Sequence, residues 1–319
     1  MGSIVYHYTD AQAFAGMVQN TALWATDFRY LNDSRELIYV WEPFVAKLKE
    51  LAPTPGEYSD AYKAQLEALR LMNSTDLMAF DETTFVTCFT ELADAVSQWS
   101  RYGANGHGIA LGFDTDAIDT LKAPVVRHFT HGRIDPITYD NTHEPVTQTG
   151  FLQKVGYGDA HRDTVVNGLI NNVRDNCGKN GGDFNTMVAN SITAVHAWLK
   201  RLPLAKHDAF KDEQEHRITL SEHHDGRSAM QRTALASLGE RFIPHTKGPL
   251  DTLDVKFRSG GGALFRPYVE IPFPHEALVK VVTGPTLKHH LTEPTVRRLL
   301  DRHGFRHTTI EASTLPYQA

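Results

Sequence analysis

Two glutamates two positions apart, Glu213 and Glu215, followed at the same interval by Arg217, form the most chemically suggestive spacing in the chain. Alternate side chains of a strand share a face, so a strand over Phe210–Leu220 turns both carboxylates and the guanidinium one way. Gln214, His216, Ile218 and Leu220 turn the other way, and the apolar pair marks that side as core. Two carboxylates facing a cleft can stabilise a developing positive charge or, with nearby histidines, hold the metal ion of a nuclease. A solvent-facing strand would show the same pattern. Two other segments end strands with polar groups: His7-Tyr8-Thr9 and Thr87-Cys88-Phe89-Thr90. Cys88 with His7 as base would make a nucleophilic pair, but the apolar strand around it favours a buried structural cysteine.

The elements that must position these groups are legible in outline. Ile4–Tyr8 reads as a strand, Thr9 or Asp10 as the cap of a helix over Ala11–Val18, and Ala22–Ala25 as a second strand. Asn32-Asp33-Ser34 supplies caps for a long helix through Lys49, with Leu37, Val40, Trp41, Phe44 and Leu48 at helical spacing. A helix follows near Tyr62–Leu71, then a strand over Thr84–Phe89, a helix over Ala93–Tyr102 and a strand over His107–Phe113. Val125–Phe129 and Ile134–Tyr139 fit strands. Residues 160–200 read as helical, broken at 178–182, and look like an insertion between two parts of one sheet. The stretch 222–262 reads as long polar loops, with Gly260–Gly262 as a hairpin. Strands over Ala263–Ile271, Ala277–Thr283 and Thr308–Ala312 and a helix over Glu293–His303 complete an α+β chain, expected as a single enlarged domain.

Composition removes several function classes. The formal charge is −6 with the acidic excess in the first hundred residues, unlike a protein that grips nucleic acid mainly through phosphates. No apolar run reaches the ~20 residues of a membrane span, no secretory signal is visible, and two cysteines form no disulfide framework, so the cytoplasm is the expected compartment. P-loop, dinucleotide-fold, nucleophile-elbow and H-E-x-x-H motifs are absent. None of the local pairs among the 17 histidines has i,i+4 spacing with a carboxylate, so no metal site is expected.

The ordered motifs resemble a bacterial family of uncharacterised function. They are His7-Tyr8-Thr9, Leu31-Asn-Asp-Ser-x-Glu36, Phe85-x-x-Cys-Phe-Thr90, Trp99-x-x-Tyr-Gly103, Gly108-x-x-Leu-Gly-Phe113, Phe210-x-x-Glu-x-Glu-x-Arg217 and Pro267-Tyr-x-x-Ile-Pro272. That family in turn is similar to ADP-ribosyltransferases, particularly DNA-targeting toxins. The resemblance implies a split β-sheet core with helical insertions and a cleft for NAD as substrate, lined by motifs from three strands. Carried over residue by residue, His7 and Thr9 supply the first motif, Thr87 or Thr90 the second and Glu215 the third. A tyrosine in the second motif would have to be Tyr102 or Tyr30.

The chemistry so implied would suit these groups. Breaking the nicotinamide–ribose bond builds an oxocarbenium-like charge, which Glu215 would stabilise while Glu213 orients the acceptor. His7 and Thr9 would bind a ribose, and Tyr8, Trp24, Trp99 or Tyr102 would stack on nicotinamide. Among Arg29, Arg35 and Arg101, Arg29 is favoured for the pyrophosphate because it precedes Asn32, itself a candidate contact. The acceptor would be DNA, RNA or protein, the setting a toxin or antiphage effector, and an antitoxin or inhibitor a further partner. A sensor that keeps the nucleotide cleft without turnover is the alternative.

Overall fold

The computed structural model describes residues 2–31, 36–72, 83–129, 147–178, 182–222, 229–239, 249–260 and 263–316. The strands are β1 (Ile4–Thr9), β2 (Ala22–Asp27), β3 (Thr84–Thr90), β4 (Ile109–Asp114), β5 (Thr120–Phe129), β6 (Thr147–Lys154), β7 (Gly156–Tyr157), β8 (Ala205–Lys206), β9 (Glu215–Ser221), β10 (Pro249–Leu253), β11 (Lys256–Gly260), β12 (Ala263–Pro272), β13 (Leu278–Thr283) and β14 (Thr309–Ala312). The helices are α1 (Ala11–Asn20), α2 (Glu36–Leu51), α3 (Ser59–Leu71), α4 (Val96–Arg101), α5 (Thr115–Ile118), α6 (Gly158–Gly178), α7 (Phe184–Leu199), α8 (Ala229–Ala236) and α9 (His289–Arg302). The α+β class is thus observed, as one large mixed sheet with several helices. No helix among the described residues is long and apolar enough to cross a membrane.

Twelve strands form that sheet, and it forks at β3. One edge of β3 pairs with β9 along its whole length, from Thr84 opposite Ser221 to Thr90 opposite Glu215. The other edge is shared. At the end of β3, Thr90 lies opposite Tyr6 of β1, whereas at its start Phe85 and Val86 lie opposite Asp27 and Thr26 of β2. One branch continues from β1 through β4 and β13 to β14, the other from β2 through β12 to β11. Between the two, the backbone of Thr87–Phe89 has no strand neighbour on that edge among the described residues.

A shared apolar core holds both branches together, with Val5, Phe89, Leu111 and Phe113 packed in the same cluster as Leu23, Ala25, Val269 and Ile271. A second core belongs to the helices, where Val40, Phe44 and Leu48 of α2 pack with Leu69 of α3, Leu169 and Val173 of α6 and Val188, Ile192 and Trp198 of α7. The inserted pair α6–α7 lies between β6 and β9 in the chain, yet β6 and β9 are hydrogen-bonded neighbours. Asp10 caps α1, accepting from the Ala13 N–H at 2.7 Å.

The segment before β9 departs from expectation. Asp208–Glu213 is a 3₁₀ turn rather than strand, and Gln214 takes a left-handed conformation (φ 45°, ψ 54°) that swings the chain into β9. Both faces of β9 are also covered: Ile218 and Leu220 enter the shared core, while Glu215 and Arg217 are buried on the opposite side. The carboxylate face is therefore not a solvent face. The stretch expected as long loops contains α8, β10 and β11, and β6 was not expected. The expected strand over 134–139 lies outside the described residues.

Candidate functional site

Where β1 and β2 diverge, a cavity of about 330 Å³ opens, within the ~300–1,000 Å³ usual for small-molecule sites though near its lower end. The sequence-derived candidates His7, Tyr8, Thr9, Thr87, Thr90, Tyr102, Glu213 and Glu215 all line it. Arg29 does not line it. Its guanidinium is turned onto the buried carboxylate of Asp27, with Nη2 at 2.6 Å, because that carboxylate lies two residues away. Asn32 and Arg35 lie outside the described residues. Trp99 is also off the cavity, fully buried with its Nε1 donating to Asp94 at 2.6 Å and its ring edge-on to Tyr8. Trp24 and Tyr30 do line the cavity.

The gap in the sheet explains how His7 is held. Unpaired on its β1/β2 edge, the Cys88 carbonyl is met instead by His7 Nδ1, at 2.8 Å. A carbonyl oxygen only accepts, so Nδ1 bears the proton and Nε2 keeps its lone pair. Burial lowers the His7 pKa to about 4, against the opposing pull of the Cys88 carbonyl, and the Arg258 charge adds to the lowering. The ring is therefore neutral near pH 7, a hydrogen-bond acceptor on the cavity wall.

Strand register puts the carboxylates on the other side of the gap. Thr90 and Cys88 lie opposite Glu215 and Arg217, so these four share one face of the sheet, with Tyr6. His7 and Thr87 belong to the other face. Because the sheet is open there, both faces reach one cavity.

Beneath it lies a buried ionic cluster. Arg217 donates to both oxygens of Glu215, Nε to Oε1 and Nη2 to Oε2 at 2.8 Å each. Its Nη1 donates to the Pro203 carbonyl at 2.7 Å and lies 2.9 Å from Glu36. Lys206 is surrounded by Glu36 at 2.6 Å, Glu213 at 2.7 Å and Glu215 at 3.3 Å, with the Phe210 ring 4.8 Å away. Burial would raise the Glu215 pKa, but the charges of Arg217 and Lys206 outweigh it and hold the carboxyl at about 2. Burial acts on the Lys206 pKa in the opposite sense and would lower it, and the charges of Glu215 and Glu36 outweigh that and raise it. Three acids against two buried bases leave one negative charge, which Arg101, half-exposed at the rim, meets through Glu213 at 2.6 Å. Glu36 closes the Leu31-Asn-Asp-Ser-x-Glu36 motif but had no chemical role assigned to it, and Lys206 belongs to no local pattern.

Cys88, half-buried on the cavity wall, is poorly placed to act as a nucleophile: burial and then the neighbouring Glu215 charge push its thiol pKa well up. Thr90 acts in the framework, its hydroxyl donating to the Glu213 carbonyl at 2.6 Å and so fixing the turn. Thr87 differs. Its Oγ1 is buried without a hydrogen-bond partner, and such an orphan on a cavity wall is a natural ligand contact. Tyr102 Oη sits 3.4 Å from Glu213. Gly103 permits this corner, since a Cβ there would meet the Trp99 ring at 2.5 Å, and Gly108 does the same against the Thr9 carbonyl at 2.3 Å. Among the described residues no group of three or more His, Cys, Asp or Glu is arranged to hold a metal ion.

Residues 98–218 match a family described as "Protein of unknown function (DUF2971)". The matched stretch runs from α4 into β9 and so contains Tyr102, Lys206, Glu213, Glu215 and Arg217 but not β1 or the β11–β12 hairpin. No curated protein matches the chain, and no solved structure matches it. The hairpin contributes Arg258, Ser259 and Arg266 to the cavity, residues that stand in none of the motifs read from the sequence.

Proposed function

We propose that the protein is an NAD-dependent mono-ADP-ribosyltransferase, with its forked sheet a variant of the split sheet of that superfamily. The observation that carries this reading is the joint lining of one cavity by His7, Thr87 and Glu215, from three different strands. A neutral His7 accepts a hydrogen bond from a ribose hydroxyl through Nε2, and the unpartnered Thr87 hydroxyl offers a second contact. Heterolysis of the nicotinamide–ribose bond releases neutral nicotinamide and leaves positive charge on the anomeric carbon. Glu215, ionised and held rigid by Arg217, stabilises that charge without reorganising, an effect commonly worth ~3–4 kcal/mol. The acceptor's nucleophilic atom then bonds to the anomeric carbon and gives its proton to solvent, with the buried Glu213, held by Arg101 and Lys206 near Tyr102, as its orienting group. DNA, RNA and protein are all acceptors of suitable chemistry, and a toxin or antiphage effector is the setting such a reaction fits.

One observation favours a second reading, a nucleotide-binding sensor without turnover: both Glu215 oxygens are occupied by Arg217 and Lys206. The same occupancy weakens the nuclease reading, since a metal ion would have to displace two buried cations. Purified protein with NAD, assayed for nicotinamide release and for label transfer to DNA, RNA or lysate protein, decides among them. Turnover abolished by Glu215→Gln with NAD binding retained supports the transferase. Binding without turnover selects the sensor, and neither binding nor turnover ends both readings.

A further inference from the structure

The β11–β12 hairpin carries its charges inward and its phenyl rings outward. Arg258 lies directly opposite Arg266 in the ladder, and Phe257 opposite Pro267. Alternation puts Arg258 and Arg266 on the same face as Tyr268 of β12 and Trp24 and Thr26 of the adjoining β2, the face that lines the cavity. Phe257 and Phe265 stand on the reverse face, 65% and 54% exposed. An ordinary amphipathic ribbon would be arranged the other way round. Like charges opposed across a ladder are destabilising, so this arrangement calls for a partner of opposite sign.

For Arg258 the described residues supply none. Lys256, on the same face, is paired with Glu270. Arg258 forms no salt bridge with any described carboxylate. Its Nη2 donates to Thr26 Oγ1 at 2.9 Å, its plane rests near the Trp24 and Tyr268 rings at 5.3 and 5.9 Å, and its Nε is buried without a partner. Asp10 is a neighbouring acid, spent on capping α1. The rings and the threonine fix the guanidinium's pose and leave donors for a ligand.

We infer that Arg258, with Arg266 opposite, forms an anion subsite in the cavity wall that recognises a phosphate group of the bound ligand. A planar guanidinium with several fixed donors suits phosphate oxygens better than a single ammonium would. The subsite rests on the cavity being a ligand site and not on ADP-ribosyl transfer.

Titration calorimetry of the full chain with ADP, adenosine and inorganic pyrophosphate, at low and raised salt, tests it. ADP is expected to bind ~10-fold or more tighter than adenosine, as charge-assisted bonds would give, and the preference should shrink with salt. Arg258→Gln should abolish that preference while leaving the thermal midpoint unchanged or raised, because it relieves a like-charge contact. Arg258→Lys should restore it in part. Equal affinity for ADP and adenosine, a preference that survives Arg258→Gln, or no binding of ADP and pyrophosphate overturns the inference. If ADP binds through Arg258 while NAD is never turned over, the subsite stands and the transferase reading falls alone.

Discussion

Arg217 grips Glu215 through two parallel hydrogen bonds of 2.8 Å each, both groups buried two residues apart on one strand face. The pair keeps the carboxyl ionised and fixes its direction at the cavity floor. Burial makes the arrangement all-or-none: each charge is tolerable only while its partners remain.

Arg217→Met should therefore be among the most damaging substitutions in the chain. It leaves Glu215 and Glu36 buried with only Lys206 between them, and loss of one member of a buried ion pair costs about 3–5 kcal/mol. A urea melt should show a lower midpoint for this variant. By contrast Arg101→Ala removes a half-exposed cation and leaves Glu213 still paired with Lys206, so the same melt should move, but by less than for Arg217→Met.

Acid should destabilise the fold in two stages. His7 has a folded pKa of about 4, below its ordinary value of 6.5, so the unfolded chain takes up the proton first. Stability from this group is complete above pH 6.5 and is lost as pH falls from 6.5 towards 4. Glu215, depressed to about 2, adds stability that is present above its ordinary value of 4.5 and fades as pH falls from there towards 2. Thermal midpoints measured across this range should fall on acidification, and His7→Asn should flatten the upper stage only. An unchanged slope in that variant would refute the assignment.

Ligand affinity should be insensitive to His7 protonation between pH 5 and 8, because the ring is neutral throughout that window. Calorimetric titration of ADP at several pH values checks this. A step in affinity near pH 6.5 that vanishes in His7→Asn would show that the ring titrates normally.

Cys88 should resist thiol reagents in the native protein even at pH 8. Burial and the Glu215 charge keep it protonated, and the thiolate is the reactive form. Peptide mapping after alkylation should find Cys88 modified on unfolding and largely unmodified before it.

Gly103→Ala should lower stability by about 1–3 kcal/mol, since the added methyl would overlap the buried Trp99 ring. A circular-dichroism melt measures this, and loss of Tyr102 from the cavity wall should weaken ligand binding in parallel.

The amino-acid sequence by itself determined the order and type of most elements, because periodicity and caps are local. Asp10 caps α1, Leu37 to Leu48 form the buried stripe of α2, and alternation separates Ile218 and Leu220 from Glu215 and Arg217. It also brought His7, Thr87 or Thr90, and Glu215 forward together, through ordered motifs. Tertiary structure decided what those residues face. Only the fork at β3 opens the edge where His7 meets the Cys88 carbonyl, and a fork is a matter of which strands pair, which no local pattern encodes. Only packing of the helical layer delivers Glu36 and Lys206 to Glu215, from positions remote in sequence or on a two-residue strand. The left-handed Gln214 was invisible for the same kind of reason: the contacts that hold it include the Glu91 N–H on its carbonyl and the Thr90 hydroxyl on the Glu213 carbonyl, both from a distant strand and the turn after it.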